Sequence, residues 1–264
     1  MRKVTIEYQP FRWVKYTRFV KGNFPSDWSE TSPKQLIAIA SLLKQSISDV
    51  HFLSIMTGLS IRTINKLDAW QRFQLIELFD SFRSHQPYNE FIIPKLDCKG
   101  TVLCAPKPKL KGVTFGQFIF LDTYFGNYQE SHDKTDLNKF IASAYLPFGQ
   151  QFTEPLIDAH YQWVAKTELL SREAIVINYY LIRDWLCEVY PLVFQRKTEQ
   201  QIQEDETKIR NNIPLKNRDQ NSWIKVFESL VGDDIINENS YANLPLHNVL
   251  QYLTSQIKKN LKQK

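Results

Sequence analysis

Helix-start signals followed by apolar residues at helical spacing recur along this chain, and they constrain its fold more than any other feature. Ser32, Pro33 and Gln35 combine an N-cap, a proline at the first helical position and the glutamine of a capping box. The apolar residues that follow fall on one helical face: Leu36, Ile39, Ala40 and Leu43. Thr114 and Gln117 predict a second capping box. The sequence therefore predicts a mainly α fold.

Two short β features interrupt the helical pattern. Val4, Ile6 and Tyr8 alternate with polar residues and predict a short N-terminal strand. Residues 91–93 and 101–103 are rich in β-prone side chains and flank a turn over residues 97–100. A small β-hairpin within residues 88–111 is the expected result.

The helical segments suggest a division of the chain into three parts. A polar, apolar-poor stretch begins near residue 195 and is interpreted as a linker or a solvated helix. The expected organisation is a multi-helix, bundle-like body over residues 1–195, the connector over 196–221, and a C-terminal helical unit over 222–264. Within the body we expect a helical subunit over 25–85, the hairpin over 88–111 and further helices over 114–190.

Several helix boundaries can be predicted from single residues. The helix that starts after Thr114 is expected to reach about Phe125. Ser171 is interpreted as the N-cap of a helix over residues 171–190, and Ser222 as the cap of the first C-terminal helix. Pro245 is expected to lie at the start of the final helix.

The residue counts exclude several kinds of catalytic and cofactor site. None of the eight glycines are spaced as in the two common glycine-rich phosphate loops. The five histidines lack the spacing of a helical metal site, and the three cysteines contain no C-x-x-C pair. We therefore expect no catalytic residues, no cofactor and no metal, and a non-enzymatic protein. Cys98 and Cys104 are expected to be reduced thiols beside the hairpin turn.

The charge is unevenly distributed. The net charge is +5, but residues 1–22 alone contain six Lys or Arg against Glu7, and residues 95–111 contain five Lys against Asp97. Residues 258–264 add four Lys and no acid. Such basic segments are typical either of solvated loops or of docking to an acidic partner or nucleic acid. No apolar leader or membrane-spanning stretch is evident, so we expect an intracellular, soluble protein.

One local pattern resembles a helix-turn-helix over residues 50–67. Gly58 would supply the turn, and the second helix would present four side chains to a DNA major groove: Arg62, Thr63, Asn65 and Lys66. A tight structural corner between two helices requires the same glycine, serine and aliphatic residues. DNA binding by a regulator is thus an alternative function, and nucleic acid as a partner stays open.

Four longer segments resemble proteins from the tail-morphogenesis region of phages and prophages of Bacteroidetes-type bacteria. They are residues 24–35 with their Trp and S-P-x-Q helix start, 58–67, 110–147, and 223–250, which is similar to the C-terminal helices of tail assembly chaperone-like proteins. The shared residues are packing residues rather than chemical motifs.

The resemblance implies a non-enzymatic protein of tail assembly or particle structure, in which the corner at Gly58 is structural. The expected partners are tape-measure or tube subunits, with a homo-oligomer also possible, and the expected location is the bacterial host cytoplasm during assembly or the virion. The protein would shield amphipathic helices of the tape-measure protein. The predicted partner anchors are Trp223, Phe227, Leu250 and Leu253, each of which is also a suitable core residue.

Overall fold

The structure is a computed structural model that describes residues 1–9, 16–83, 87–194 and 222–263. It confirms the mainly α fold, because 61% of the residues are helical. Eleven α-helices lie in these described ranges: α1 Pro33–Leu43, α2 Asp49–Thr57, α3 Ile61–Ile64, α4 Ala69–Arg83, α5 Phe115–Ser131, α6 Lys134–Ala144, α7 Pro155–Val164, α8 Leu169–Val189, α9 Ser222–Val231, α10 Glu238–Ala242 and α11 Leu246–Lys262.

Five strands form two small antiparallel sheets. The predicted N-terminal strand, β1 Arg2–Tyr8, pairs with β2 Arg18–Phe24, which the sequence pattern did not reveal. The predicted hairpin consists of β3 Lys95–Asp97 and β4 Val102–Cys104, and β5 Leu146–Pro147 adds a third strand to it. Residues 91–93, although β-prone, form no strand.

Two helix boundaries and one capping box differ from the sequence prediction. Helix α5 continues to Ser131 rather than ending near Phe125, because its buried face extends to Tyr128. Helix α8 begins at Leu169, so Ser171 lies inside it and is not its N-cap. Thr114 caps α5 as expected, but the side-chain nitrogen of Gln117 donates to the Ser143 carbonyl oxygen instead of completing a capping box.

The contacts divide the chain into two compact units, each made of two separate stretches of chain. Unit 1 comprises Met1–Ile93 and Glu168–Leu181. Unit 2 comprises Pro94–Thr167 and Ile182–Lys264. The contacts thus group the C-terminal helices with residues 94–167, whereas the sequence interpretation separated them. The connector proposed for residues 196–221 lies outside the described residues.

Unit 1 is held together by packing and by buried amide side chains. The predicted capping box of α1 is present, and the Gln35 side chain also donates to the Met56 carbonyl oxygen at 3.1 Å. Phe52 and Phe79 pack edge to face with their ring centroids 5.2 Å apart. The Asn178 side chain accepts from the Ile92 N–H at 2.5 Å and donates to the Glu90 carbonyl oxygen at 2.8 Å. It therefore satisfies a backbone segment that lacks a strand partner.

Unit 2 is built around α5 and its neighbour α6. Phe125 and Phe140 pack between these helices with ring centroids 5.5 Å apart. The start of α11 is joined to the start of α5, because the Phe115 N–H donates to the Leu244 carbonyl oxygen at 2.8 Å and the Leu246 N–H donates to that of Val113 at 3.1 Å. These two backbone bonds fix the first turn of α5 against residues 244–246.

Candidate functional site

Unit 2 has an apolar groove of about 450 Å³, which is within the usual range for binding pockets. Residues of α5, of the segment 152–155, of α9 and of α10 line it. Its apolar lining is mainly Ile119, Phe120, Phe152, Ile224 and Phe227. Glu154 and Glu238 supply carboxylates, and the described lining contains no Lys or Arg. We call this site the groove.

A glycine allows two elements that line the groove to approach each other closely. A Cβ atom at Gly116 would lie only 3.1 Å from both the Cβ and the carbonyl oxygen of Ala242, which is too close for an unstrained contact. The absence of a side chain at Gly116 therefore allows α10 to approach α5 closely. Both residues line the groove.

A buried polar network positions α9, which forms one wall of the groove. Asp122 on α5 accepts a bond of 2.9 Å from Nε of Arg183 and one of 2.8 Å from the Trp223 indole nitrogen. The Trp223 ring also packs against Phe118 and Phe194, with centroids 5.1 and 5.4 Å away. Because the Asp122 side chain is almost fully buried, these charge-assisted bonds give α9 a defined position.

A second concave site of about 500 Å³ lies on the same unit and has the opposite charge. Lys95, Lys107 and Lys111 line it, and the described residues of its lining include no Asp or Glu. Cys104, Gln150 and Phe148 also line it, together with several prolines and small residues. We call this site the cleft.

The loop over residues 105–113, which carries two of these lysines, has an unusual backbone. Lys109 and Leu110 have φ values of 61° and 53°, in the left-handed region that residues with a Cβ rarely adopt. Nε2 of His247 lies 2.5 Å from the Lys109 carbonyl oxygen, and its Nδ1 lies 2.8 Å from the Tyr190 hydroxyl. Since a carbonyl only accepts, Nε2 carries the proton and Nδ1 accepts from Tyr190. Burial raises the pKa of Tyr190 and keeps its hydroxyl protonated.

Comparison with known proteins does not place the chain in a family. No family model, curated protein or solved structure matches it. The two concave sites and the resemblance described above are therefore the basis for proposing what the protein does.

The predicted partner anchors occupy different positions in unit 2. Phe227 is half-buried and lines the groove. Trp223 is half-buried in the aromatic cluster behind the groove, and Leu250 is fully buried in the core. Leu253 is half-buried on α11 and does not line the groove. Of the four, Phe227 is the one that the groove makes available to a partner.

The segment predicted as a helix-turn-helix has the expected turn but a very short second helix. Gly58 ends α2 with a φ of 73°, and the Ser60 side chain caps α3. Helix α3 has only four residues, a single turn, which is shorter than a helix that reads bases along a major groove. Arg62, Asn65 and Lys66 are exposed, and Thr63 is half-buried. DNA binding stays a prediction, and loss of salt-sensitive DNA retention in an Arg62→Ala, Lys66→Ala variant tests it.

Other candidate chemistry is sparse in the described residues. Within these ranges no cluster of three or more His, Cys, Asp or Glu side chains is arranged to hold a metal ion. Cys98 is buried, and burial followed by the charge of Asp97 raises the pKa of its thiol. None of the helices in the described part of the chain has both the length and the apolar character needed to cross a bilayer.

The sequence interpretation missed most of the residues that line these sites. The basic segment 95–111 was recognisable from its charge, but its concave shape comes from contact with residues 146–150. Phe120 and Phe152 gave no signal, because aromatic residues in helices and loops usually pack in a core. Their joint exposure to a groove depends on tertiary structure.

Proposed function

We propose that this chain is a non-enzymatic phage or prophage protein of tail assembly or particle structure that binds an amphipathic helix of a partner protein in the groove. The observation that carries the proposal is the groove itself. Its apolar lining is open to solvent at Ile224, which is 39% exposed, and Phe120, Phe152 and Phe227 are half-buried. The resemblance to tail-region proteins supports the choice of partner.

The chemistry of the groove favours a particular kind of helix. An amphipathic helix places apolar side chains at intervals of three and four residues, and these can fill an apolar groove. Glu154 and Glu238 are exposed and would attract Lys or Arg beside the apolar stripe of that helix. The proposed occupant is therefore a basic amphipathic helix, supplied by a tape-measure subunit before tube subunits assemble around it.

A synthetic peptide tests the groove directly. A fluorescent helical peptide with an apolar stripe flanked by Lys should bind the full chain, and its counterpart flanked by Glu should bind at least tenfold more weakly. Ile224→Glu places a charge in the groove and should weaken binding about tenfold or more. Ile236→Glu is the matched control, because Ile236 is 97% exposed and does not line the groove. Equal binding by both variants would contradict the proposed site.

Co-expression tests the biological setting. Tape-measure fragments should be retained by the tagged wild-type chain and by Ile236→Glu, and should be lost with Ile224→Glu. If no tape-measure or tube fragment is retained while the synthetic helix still binds, the tail-assembly setting is wrong and the groove has another helical partner.

A further inference from the structure

We propose that the cleft binds a nucleotide, with its lysines on the phosphate and Phe148 on the base. The first support is its lining. Three lysines converge on a concave site of about 500 Å³, a volume that suits a small ligand rather than a flat protein surface. Lys side chains bind phosphate as point charges, without the glycine-rich loops that this sequence lacks.

The second support is the arrangement of two of the lysines. Lys107 and Lys111 face each other as an antiparallel bridge pair. Directly opposed residues of such a pair have Cβ atoms about 4.5–5.5 Å apart, so the two ammonium groups can reach one phosphate. No carboxylate in the described lining competes for these two lysines. A bound phosphate would therefore be held by two positive charges.

The third support is that the loop is held rigidly in a costly conformation. Left-handed backbone at Lys109 and Leu110 is disfavoured, and such residues cluster at functional sites. The loop keeps this conformation through the bond from His247 and through the Val113 N–H, which donates to the Leu110 carbonyl oxygen at 3.1 Å. A ligand therefore meets lysines on a backbone that is already ordered, which lowers the entropic cost of binding.

The fourth support is the position of Phe148. The Gln150 N–H donates to the Pro147 carbonyl oxygen at 3.0 Å, and Gly149 has a φ of 78°, as the third residue of a type II turn requires. Phe148 occupies the corner of this turn, directly after β5, and is 93% exposed. An aromatic ring on a fixed turn beside a basic cleft can stack on a base while the lysines hold the phosphate.

Nucleotide binding explains these features better than an acidic peptide does. A peptide carboxylate would pair with the lysines but would not stack on the exposed Phe148 ring. The base and phosphate can come either from a free nucleotide or from one nucleotide of a single strand, since both present the same chemistry. The proposal is independent of the groove and its helical partner.

Titration of the full chain tests this inference. The probes are AMP, ADP, ATP, an oligo-dT of about ten nucleotides, inorganic pyrophosphate and a hexaglutamate peptide. Calorimetry measures the binding of each probe. We expect binding of a free nucleotide or of the oligonucleotide at least tenfold tighter than that of pyrophosphate or hexaglutamate. Preference for the oligonucleotide identifies a single strand as the source, and preference for a free nucleotide identifies a small ligand.

Charge-matched variants locate the site. The double variant Lys107→Gln, Lys111→Gln should weaken nucleotide binding about tenfold or more. Its thermal stability should be unchanged, because both side chains are exposed. The control, Lys258→Gln, Lys259→Gln, removes the same charge from exposed positions on α11 that do not line the cleft. Phe148→Ala should weaken nucleotide binding about fivefold or more and leave pyrophosphate binding unchanged.

Three outcomes would overturn the inference. They are the absence of nucleotide and oligonucleotide binding at millimolar concentration, equal loss of binding in the cleft and control variants, and hexaglutamate or pyrophosphate binding as tightly as the nucleotides. Each of these leaves the helix-binding test of the groove unaffected, so failure of one proposal is distinguishable from failure of the other.

Discussion

The groove and the cleft each take part of their lining from the same two stretches of chain, yet they differ in charge and in the way they are built. Residues 111–117 and 146–155 contribute to both sites. The groove is apolar and acidic, and it depends on how α5, α9 and α10 pack. The cleft is basic, and it depends on a strained loop held by hydrogen bonds. Changes to helix packing should therefore affect the first site, and changes to loop bonds the second.

The largest effect is expected for Asp122→Ala, which removes the acceptor for Arg183 and Trp223. It should lower the free energy of unfolding by about 3 kcal/mol, because it leaves a partly buried guanidinium and a partly buried indole N–H without this partner. Helix binding in the groove should weaken, and nucleotide binding in the cleft should change little. Urea denaturation and both titrations measure this.

An exposed aspartate provides the control for that variant. The Asp158 side chain is 82% exposed and pairs with Lys139 at 3.6 Å, so Asp158→Ala should cost at most about 0.5 kcal/mol. If the two variants are equally stable, the Asp122 network does not position α9 in the way described.

His247→Phe should affect the cleft rather than the groove. It removes the bonds to the Lys109 carbonyl oxygen and the Tyr190 hydroxyl, and a loss of about 1.5 kcal/mol is expected. Tyr190→Phe removes only one of these bonds and should cost about 1 kcal/mol. Chemical denaturation measures the stability of both variants. Nucleotide titration should show weaker binding for His247→Phe, which frees the Lys109 carbonyl oxygen, and unchanged binding for Tyr190→Phe. Unchanged nucleotide affinity in His247→Phe would mean that the hydrogen bonds of the loop are not needed for binding in the cleft.

Lys109→Gly should make the protein more stable. Glycine adopts a φ of 61° without the steric penalty of a Cβ atom, so the free energy of unfolding should rise by about 1 kcal/mol. Lys107→Gly is the control, because Lys107 has a φ of −64°, which is favourable for any residue, and should bring no gain. A lower melting temperature for Lys109→Gly would mean that the left-handed backbone is not strained.

The smallest effect is a loss of stability in mild acid, caused by His160 on α7, the helix that starts beside the groove. Burial lowers the pKa of His160, and its Nδ1 has no hydrogen-bond partner in the described structure. The His160 imidazole therefore binds a proton more readily in the unfolded chain than in the folded one. The free energy of unfolding is highest above about pH 6.5 and falls as the pH decreases below that value. His160→Leu should reduce this dependence. Denaturation midpoints at pH 7 and pH 5 compare the two proteins, and an unchanged slope in the variant would contradict the assignment.

Local signals in the sequence predicted the fold well where they were strong. The capping box at Ser32 and the turn at Gly58 are present as expected, because both follow from bonds within a few residues. Strand β2 was missed because Phe19, Val20 and Phe24 lack a clear alternation, and its existence depends on pairing with β1. The end of α5 was misplaced because the buried face that extends to Tyr128 depends on tertiary packing.

The candidate sites were less predictable than the fold. Of the proposed anchors, Phe227 lies on the groove and Leu250 lies in the core. In the sequence each of them is simply an apolar residue on one face of a predicted helix. The cleft required residues 95–113 and 146–150 to come together, which no local pattern encodes. Lys107 and Lys111 flank two consecutive left-handed residues that are not glycine. Residues with a Cβ rarely adopt this conformation, so the sequence offered no reason to predict that the two lysines oppose each other.

The hydrogen bonds of Asn178 have a consequence for the synthesis of the protein. They reach back 86 and 88 residues, to Ile92 and Glu90. During translation the first 93 residues therefore emerge without the residues that complete their unit, and residues 94–167 follow before Asn178 is available. Phe91 also lacks its stacking partner Tyr179 during this interval. A nascent chain stopped at residue 167 would thus expose backbone groups and an aromatic ring that the finished protein buries.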